Sequence, residues 1–152
     1  MQIEAMLTHV AQSYRAGGID ANKQLPENVV SDGNENECRH CLKFIEKGER
    51  MLILSHRPFT HIQAFAETGP VLLHAKECAR YSNDFALPEI YQQRNMIVRG
   101  YTSEDRIMYG TGAVVAMAEL SLTAATLFEN IDVAYLHVRS ASNNCYHFKV
   151  ER

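Results

Sequence analysis

Hydrophobic positions along this chain follow two different periods. Residues 5–16 place Met6, Leu7, Val10, Ala11 and Tyr14 at helical spacing, and Gly17-Gly18 supplies a left-handed stop. A first helix is predicted over about 5–16. The pattern then breaks. Pro26, Asn28, Asp32, Gly33, Asn34 and Asn36 crowd together, with Val29-Val30 as a short extended piece among them. This predicts a long polar loop near residues 20–45, and a loop of that length needs an anchor.

Beyond it the period shortens. Met51-Leu52-Ile53-Leu54 and Val71-Leu72-Leu73-His74 are apolar runs of strand length, ended by Pro58 and preceded by Gly69-Pro70 respectively. Leu87-Pro88 opens a segment with a helical turn through Arg94. Met96–Tyr101 and Arg106–Tyr109 flank the polar Thr102–Asp105, which reads as a β-hairpin. Met117, Leu120, Ala124, Leu127 and Phe128 return to helical spacing, predicting a second helix over about 115–129. Val133–Val138 and Tyr146–Val150 read as a closing pair of strands. The expected fold class is α+β, a mostly antiparallel sheet with two main helices.

Size and composition narrow this further. A chain of 152 residues is read as a single domain, 1–152, large enough to bury about 70% of the surface that its unfolded form exposes. The 46% hydrophobic and 22% charged content is that of an ordinary soluble protein. No apolar run reaches the roughly 20 residues of a membrane span. Met1–Leu7 lacks the basic and small-residue features of a secretion signal, so a cytoplasmic, reducing setting is expected. A net charge of −3 without a basic run disfavours nucleic acid as a partner.

In a reducing setting the cysteines acquire a particular meaning. Cys38-Arg39-His40-Cys41 is followed at a distance by His74-Ala75-Lys76-Glu77-Cys78. A Cys-x2-Cys pair joined to a His-x3-Cys pair offers three thiolates and an imidazole, the ligands of a tetrahedral zinc site. Cys38, Cys41, His74 and Cys78 are the candidate metal ligands. Cys145 is an alternative fourth ligand, and His40 is a competitor inside the first pair. Arg39, Lys43 or Lys76 would offset the site's formal charge of about −1. Two other readings use the same residues: buried small side chains, or a reversible thiol redox pair.

A second constellation does not involve the cysteines. Arg57, Arg99 and Arg139 each fall at or near the end of a strand-like run. If these ends converge they form a cationic pocket for a small anionic ligand, lined by Tyr101, Tyr109, Thr111 of Gly110-Thr111-Gly112, and His137. The competing reading makes them surface arginines paired with acidic neighbours. Cys145 also has His137, His147, Asn143 and Asn144 close in sequence, residue types suited to acyl transfer if the geometry agrees.

Several of these pieces together resemble one family over nearly the whole chain. They are Cys38-Arg-His-Cys-Leu42, Gly48-Glu49, Arg57-Pro58-Phe59, Gly69-Pro70 with His74 and Cys78, Val98-Arg99-Gly100-Tyr101, and Val133-Ala-Tyr-Leu-His-Val-Arg139. The family is one of small bacterial proteins known only as a domain of unknown function. The resemblance implies a bacterial, single-domain, cytoplasmic protein and carries no activity, substrate or catalytic residue with it. The resulting expectation is a structural zinc-binding domain acting as a binding or interaction module. An anion-binding protein or enzyme using the arginines is the first alternative, and a thiol redox sensor the second.

Overall fold

The computed structural model describes residues 1–82 and 86–152. It is α+β. Its strands form two antiparallel sheets, one of five strands and one of three. The chain divides into two compact units. One contains Met1–Glu4, Phe59–Ala66 and Ser82–Arg152; the other contains Ala5–Pro58 and Glu67–Tyr81.

The three-stranded unit is built from helix α1 (Thr8–Arg15) and strands β2 (Glu27–Val30), β3 (Arg50–His56) and β4 (Gly69–His74), with β3 in the middle. Helix α1 starts later than residue 5 because Ala5 and Met6 precede it as extended chain, the Met6 N–H donating to the Arg39 carbonyl at 2.9 Å. The core joins Met6 and Ala11 to Ile45, Met51, Leu52, Leu54, Val71 and Leu73, and it includes Cys38 and Cys41. The polar 20–45 stretch is less of a loop than its composition suggests. Val29 pairs with Met51 in the β2–β3 ladder, and the buried Ser31 hydroxyl donates to the Ile45 carbonyl at 2.8 Å. Asp32 meanwhile accepts from the Asn34 amide and from the Asn36 side chain.

The five-stranded unit contains β1 (Gln2–Glu4), β5 (Asn95–Tyr101), β6 (Ala113–Ala116), helix α2 (Leu120–Phe128), β7 (Tyr135–Ser140) and β8 (Tyr146–Glu151). Its strand order is β1-β8-β7-β5-β6. Leu136 through Arg139 are all buried, as a central strand covered on both faces should be. Leu136 and Val138 share one face with Val98, Phe148 and Val150, whereas His137 pairs with Arg99 and Lys149 on the other.

Two expected elements differ from those observed. Arg106–Tyr109 folds back on β5 only next to the turn, where the Thr102 N–H donates to the Arg106 carbonyl and the Met108 N–H to the Gly100 carbonyl, both at 2.9 Å, around an isolated Tyr101–Ile107 bridge; the strands that run beside β5 are β6 and β7. The cause is Thr111. Its hydroxyl accepts the Gly100 N–H at 2.8 Å and donates to the Met108 carbonyl at 2.6 Å, replacing ladder bonds with a local turn. A Cβ on Gly100 would lie 3.0 Å from that hydroxyl, so the turn closes tightly only over glycine. The second helix is also shorter than 115–129. Val115 and Ala116 belong to β6, Met117–Glu119 form one tight helical turn, and α2 proper begins at Leu120. The apolar stripe is shared between a strand and a helix, because Val115 and Met117 are buried from either geometry.

Candidate metal centre

The hairpin carrying Cys38 and Cys41 is a tight knuckle. Glu37 bridges to Phe44, the Cys38 N–H donates to the Lys43 carbonyl at 3.0 Å, and the Leu42 N–H returns to the Cys38 carbonyl at 2.9 Å. Closing the turn puts Leu42 in the left-handed region, at φ 53°. That conformation costs a non-glycine residue roughly 1–2 kcal/mol. It is held because the Leu42 side chain is almost fully buried. The hairpin tip is stitched to β4 by the Arg39 N–H, which donates to the Leu72 carbonyl at 2.9 Å. This brings Cys38 alongside the end of β4, where the His74 N–H points at its Sγ from 3.4 Å. The chain then turns through Ala75–Glu77 and returns Cys78.

The result is a cluster of four. One ligand atom from each of Cys38, Cys41, His74 and Cys78 lies within 4.8 Å of every other. The Cys38 and Cys78 sulfurs are 3.9 Å apart, and His74 Nδ1 lies 3.5 Å from Cys41 Sγ. These four side chains can hold a metal ion. All four cysteines of the chain are free thiols, and of the three in the cluster only Cys78 is partly exposed.

Three thiols and an imidazole packed this closely cannot ionise independently. Hydrogen bonding from Cys41 and then Cys78 holds the Cys38 thiol far below its ordinary range, while hydrogen bonding to Cys38 and then Cys78, with burial, pushes Cys41 far above it. His74 is pushed up to about 10, chiefly by its hydrogen bonds to Cys38 and Cys78. The cluster therefore pairs a Cys38 thiolate with a proton on His74. A divalent cation is the natural replacement for that proton.

The surroundings orient the ligands. His74 Nε2 faces Glu49 Oε2 at 3.3 Å, and the same carboxylate pairs with Lys76. That pairing with Lys76 is the main reason the Glu49 carboxyl is held below its usual range. Cys78 Sγ receives Arg15 Nη2 at 3.2 Å and faces His40 Nδ1 at 3.2 Å, and His40 Nε2 meets the Thr8 hydroxyl at 3.1 Å. Burial holds the His40 pKa down, so the ring sits beside the cluster as a neutral partner. Of the expected counter-charges, Arg39 is turned to Glu37 and Lys76 to Glu49. The cation touching a ligand is Arg15, from α1, and no local sequence signal pointed to it. Glu49, in the Gly48-Glu49 turn, could have been found as a carboxylate able to reach an imidazole. Cys145 lies in the β7–β8 turn of the five-stranded unit, its Sγ 3.7 Å from the Asn143 carbonyl.

The residues expected to bind an anion fall in both units. Arg99, His137 and Arg139 belong to the five-stranded sheet, with Arg99 directly opposite His137. There His137 is enclosed by the rings of Phe59, Tyr101, Tyr135 and Tyr146, at centroid separations of 4.5 to 5.2 Å. Thr111 is engaged by the turn at Gly100, and Tyr109 is 80% exposed. Arg57 belongs to the three-stranded unit, directly after His56 at the end of β3.

His56 gives a pH-dependent expectation. Burial, reinforced by the charges of Arg57 and Arg39, lowers its pKa to about 4. The unfolded chain then binds the proton first, so stability is lost as pH falls from about 6.5 towards 4 and levels off below that. His56→Gln removes this group, and the gap between urea midpoints at pH 7 and pH 5 should narrow in the variant. An unchanged gap would show that His56 is not among the groups responsible.

A family described as a protein of unknown function (DUF1203) matches residues 35–152. No curated protein and no solved structure matches this chain.

Proposed function

We propose, for a chain that belongs to the DUF1203 family of proteins of unknown function, that Cys38, Cys41, His74 and Cys78 hold a structural zinc ion. Its role is to clamp the knuckle to the end of β4 in a bacterial, cytoplasmic binding or interaction module. The observation that carries this reading is the size of the cluster. A zinc tetrahedron with sulfur at about 2.3 Å and nitrogen at about 2.05 Å has edges of about 3.8 Å between sulfurs and about 3.5 Å between sulfur and nitrogen. The separations of 3.9 and 3.5 Å match these without rearrangement.

Four protein ligands favour structure over chemistry. A catalytic zinc keeps a position for water or substrate, and here a fourth protein side chain takes it. The contacts around the ligands serve the same end. Glu49 on His74 Nε2 completes a carboxylate–imidazole arrangement that fixes which ring nitrogen faces the ion. Arg15 on Cys78 balances the single negative charge that three thiolates, a neutral imidazole and a divalent ion leave behind.

Protein purified without added metal should contain one zinc per chain, and cobalt substituted for it should show the intense ligand-field absorption of a tetrahedral thiolate site. Cys41→Ser and Cys78→Ser should each lose the ion. A metal-free protein whose thiols all react freely in the native state would overturn the reading and return the Cys38–Cys41 pair to thiol redox chemistry. Glu49→Gln keeps all four ligands but weakens the carboxylate's hold on His74. It should reduce zinc affinity about tenfold or more in a chelator competition. Equal affinity would mean that Glu49 does not orient the ligand.

A further inference from the structure

The three-stranded unit carries a second group of polar side chains that the metal centre does not use. Tyr14 from α1 and His56 at the end of β3 meet edge to ring, with centroids 6.2 Å apart at 87°, and the Tyr14 hydroxyl lies 3.3 Å from His56 Nδ1. Arg57 follows directly. Its Nε is buried and has no hydrogen-bond partner among the described residues. Asp20, whose charge acts on Tyr14, is otherwise engaged. Asp20 accepts three backbone N–H groups, from Asn22 and Gln24 on Oδ1 and from Ser55 on Oδ2. Glu37 is paired with Arg39.

A half-buried guanidinium differs from its neighbours in one respect: it cannot lose its proton to escape desolvation. His56 does escape in this way, staying neutral at physiological pH beside Arg57 and Arg39. Tyr14 stays protonated, because burial and the Asp20 charge raise its pKa, so the hydroxyl can donate to the neutral imidazole. Arg57 is left as a fixed positive charge with a buried donor to fill. A buried donor without a partner costs roughly 1–3 kcal/mol. A counter-ion supplied from solution would remove that cost.

We propose that Arg57, backed by Tyr14 and His56, is a binding site for a small oxyanion, a carboxylate or a phosphate. The guanidinium edge carrying Nε and one Nη presents two parallel N–H groups, the geometry that matches two oxygens of such a group. Tyr14 and His56 form the wall beside it, and their mutual hydrogen bond fixes that wall. The ligand is small because the three side chains are all partly buried at the end of one strand and the adjoining helix.

The test uses the zinc-loaded chain of residues 1–152 titrated calorimetrically with inorganic phosphate and, separately, with acetate, at ionic strength held constant with chloride. Saturable binding of either is expected, and which one binds identifies the ligand class. Arg57→Gln should weaken it about tenfold or more, as loss of a charged hydrogen-bond pair requires. Arg57→Lys, which keeps the charge but not the fork, should fall between the two. Tyr14→Phe should weaken binding less than Arg57→Gln. Arg50→Gln, an exposed arginine tied to Asn28 in the same unit, should leave it unchanged. Zinc content per chain reports whether each variant is folded. Absence of saturable binding in the wild type, or equal binding in Arg57→Gln, Arg57→Lys and the wild type, would overturn the proposal.

Discussion

Removing the proposed zinc ion, by chelation or by Cys41→Ser, is expected to open the knuckle before anything else in the three-stranded unit. The amides that should lose hydrogen-exchange protection are those closing the hairpin and stitching it to β4: Cys38, Arg39, Leu42 and Ile45, each of which donates to a backbone carbonyl at 2.7 to 3.0 Å. Free energy of metal binding is free energy of folding for the segment the metal organises, about 10–16 kcal/mol apparent in isolated zinc-finger peptides. Only a fraction of that is at stake here. The knuckle is also held by its backbone bonds and by burial of Leu42 and Ile45 in the protein interior.

A loss of roughly 3 kcal/mol or more is the expected size, enough to make the hairpin open locally in the native state. Amides in the β5–β7 ladder of the five-stranded unit serve as the internal reference. Protection unchanged after verified metal loss would show that the clamp contributes nothing to the fold.

Phe148→Ala should be the most damaging single truncation in the five-stranded unit. Phe148 is fully buried in β8, opposite Val138 in the central strand, and its ring packs at 5.2 Å and 69° against the ring of Tyr91. Tyr91 is itself fully buried and hydrogen-bonded through its hydroxyl to His147 Nδ1 at 3.1 Å. Truncation removes the apolar surface and leaves a cavity that this tethered ring cannot move freely to fill. A cost of about 3–5 kcal/mol is expected, read as a lower urea midpoint. A loss below about 1 kcal/mol would mean that β8 and Tyr91 relax into the space.

Much of the metal centre was legible before the structure, because the ligands are local in sequence. Cys-x2-Cys and His-x3-Cys each deliver two side chains through a short turn, and residue type and spacing suffice to recognise such pairs. The strands at 51–54, 71–74, 133–138 and 146–150 were legible for a similar reason, as each is an apolar run bounded by turn residues. The hairpin after Tyr101 was legible only in part, because its pairing stops just past the Tyr101–Ile107 bridge. Arg106–Tyr109 has the right composition, and the outcome turned on the Thr111 hydroxyl capturing the Gly100 N–H. Whether the 115–129 stripe was helix throughout was also undecided locally, since a strand that buries Val115 and a helical turn that buries Met117 satisfy the same pattern.

The sequence by itself determined the ligand types of the candidate metal centre, the antiparallel α+β character and the positions of most strands. These follow from residue chemistry and from periods of two or nearly four, which are properties of short segments. The tertiary structure alone decided that the two ligand pairs meet, through Arg39 docking on Leu72 of β4. It alone assigned Arg15, His40 and Glu49 to the surroundings of the ligands, and it alone divided Arg57 from Arg99 and Arg139 between two units. Charge pairing and ligand convergence depend on which distant segments share a core, and that is settled by packing.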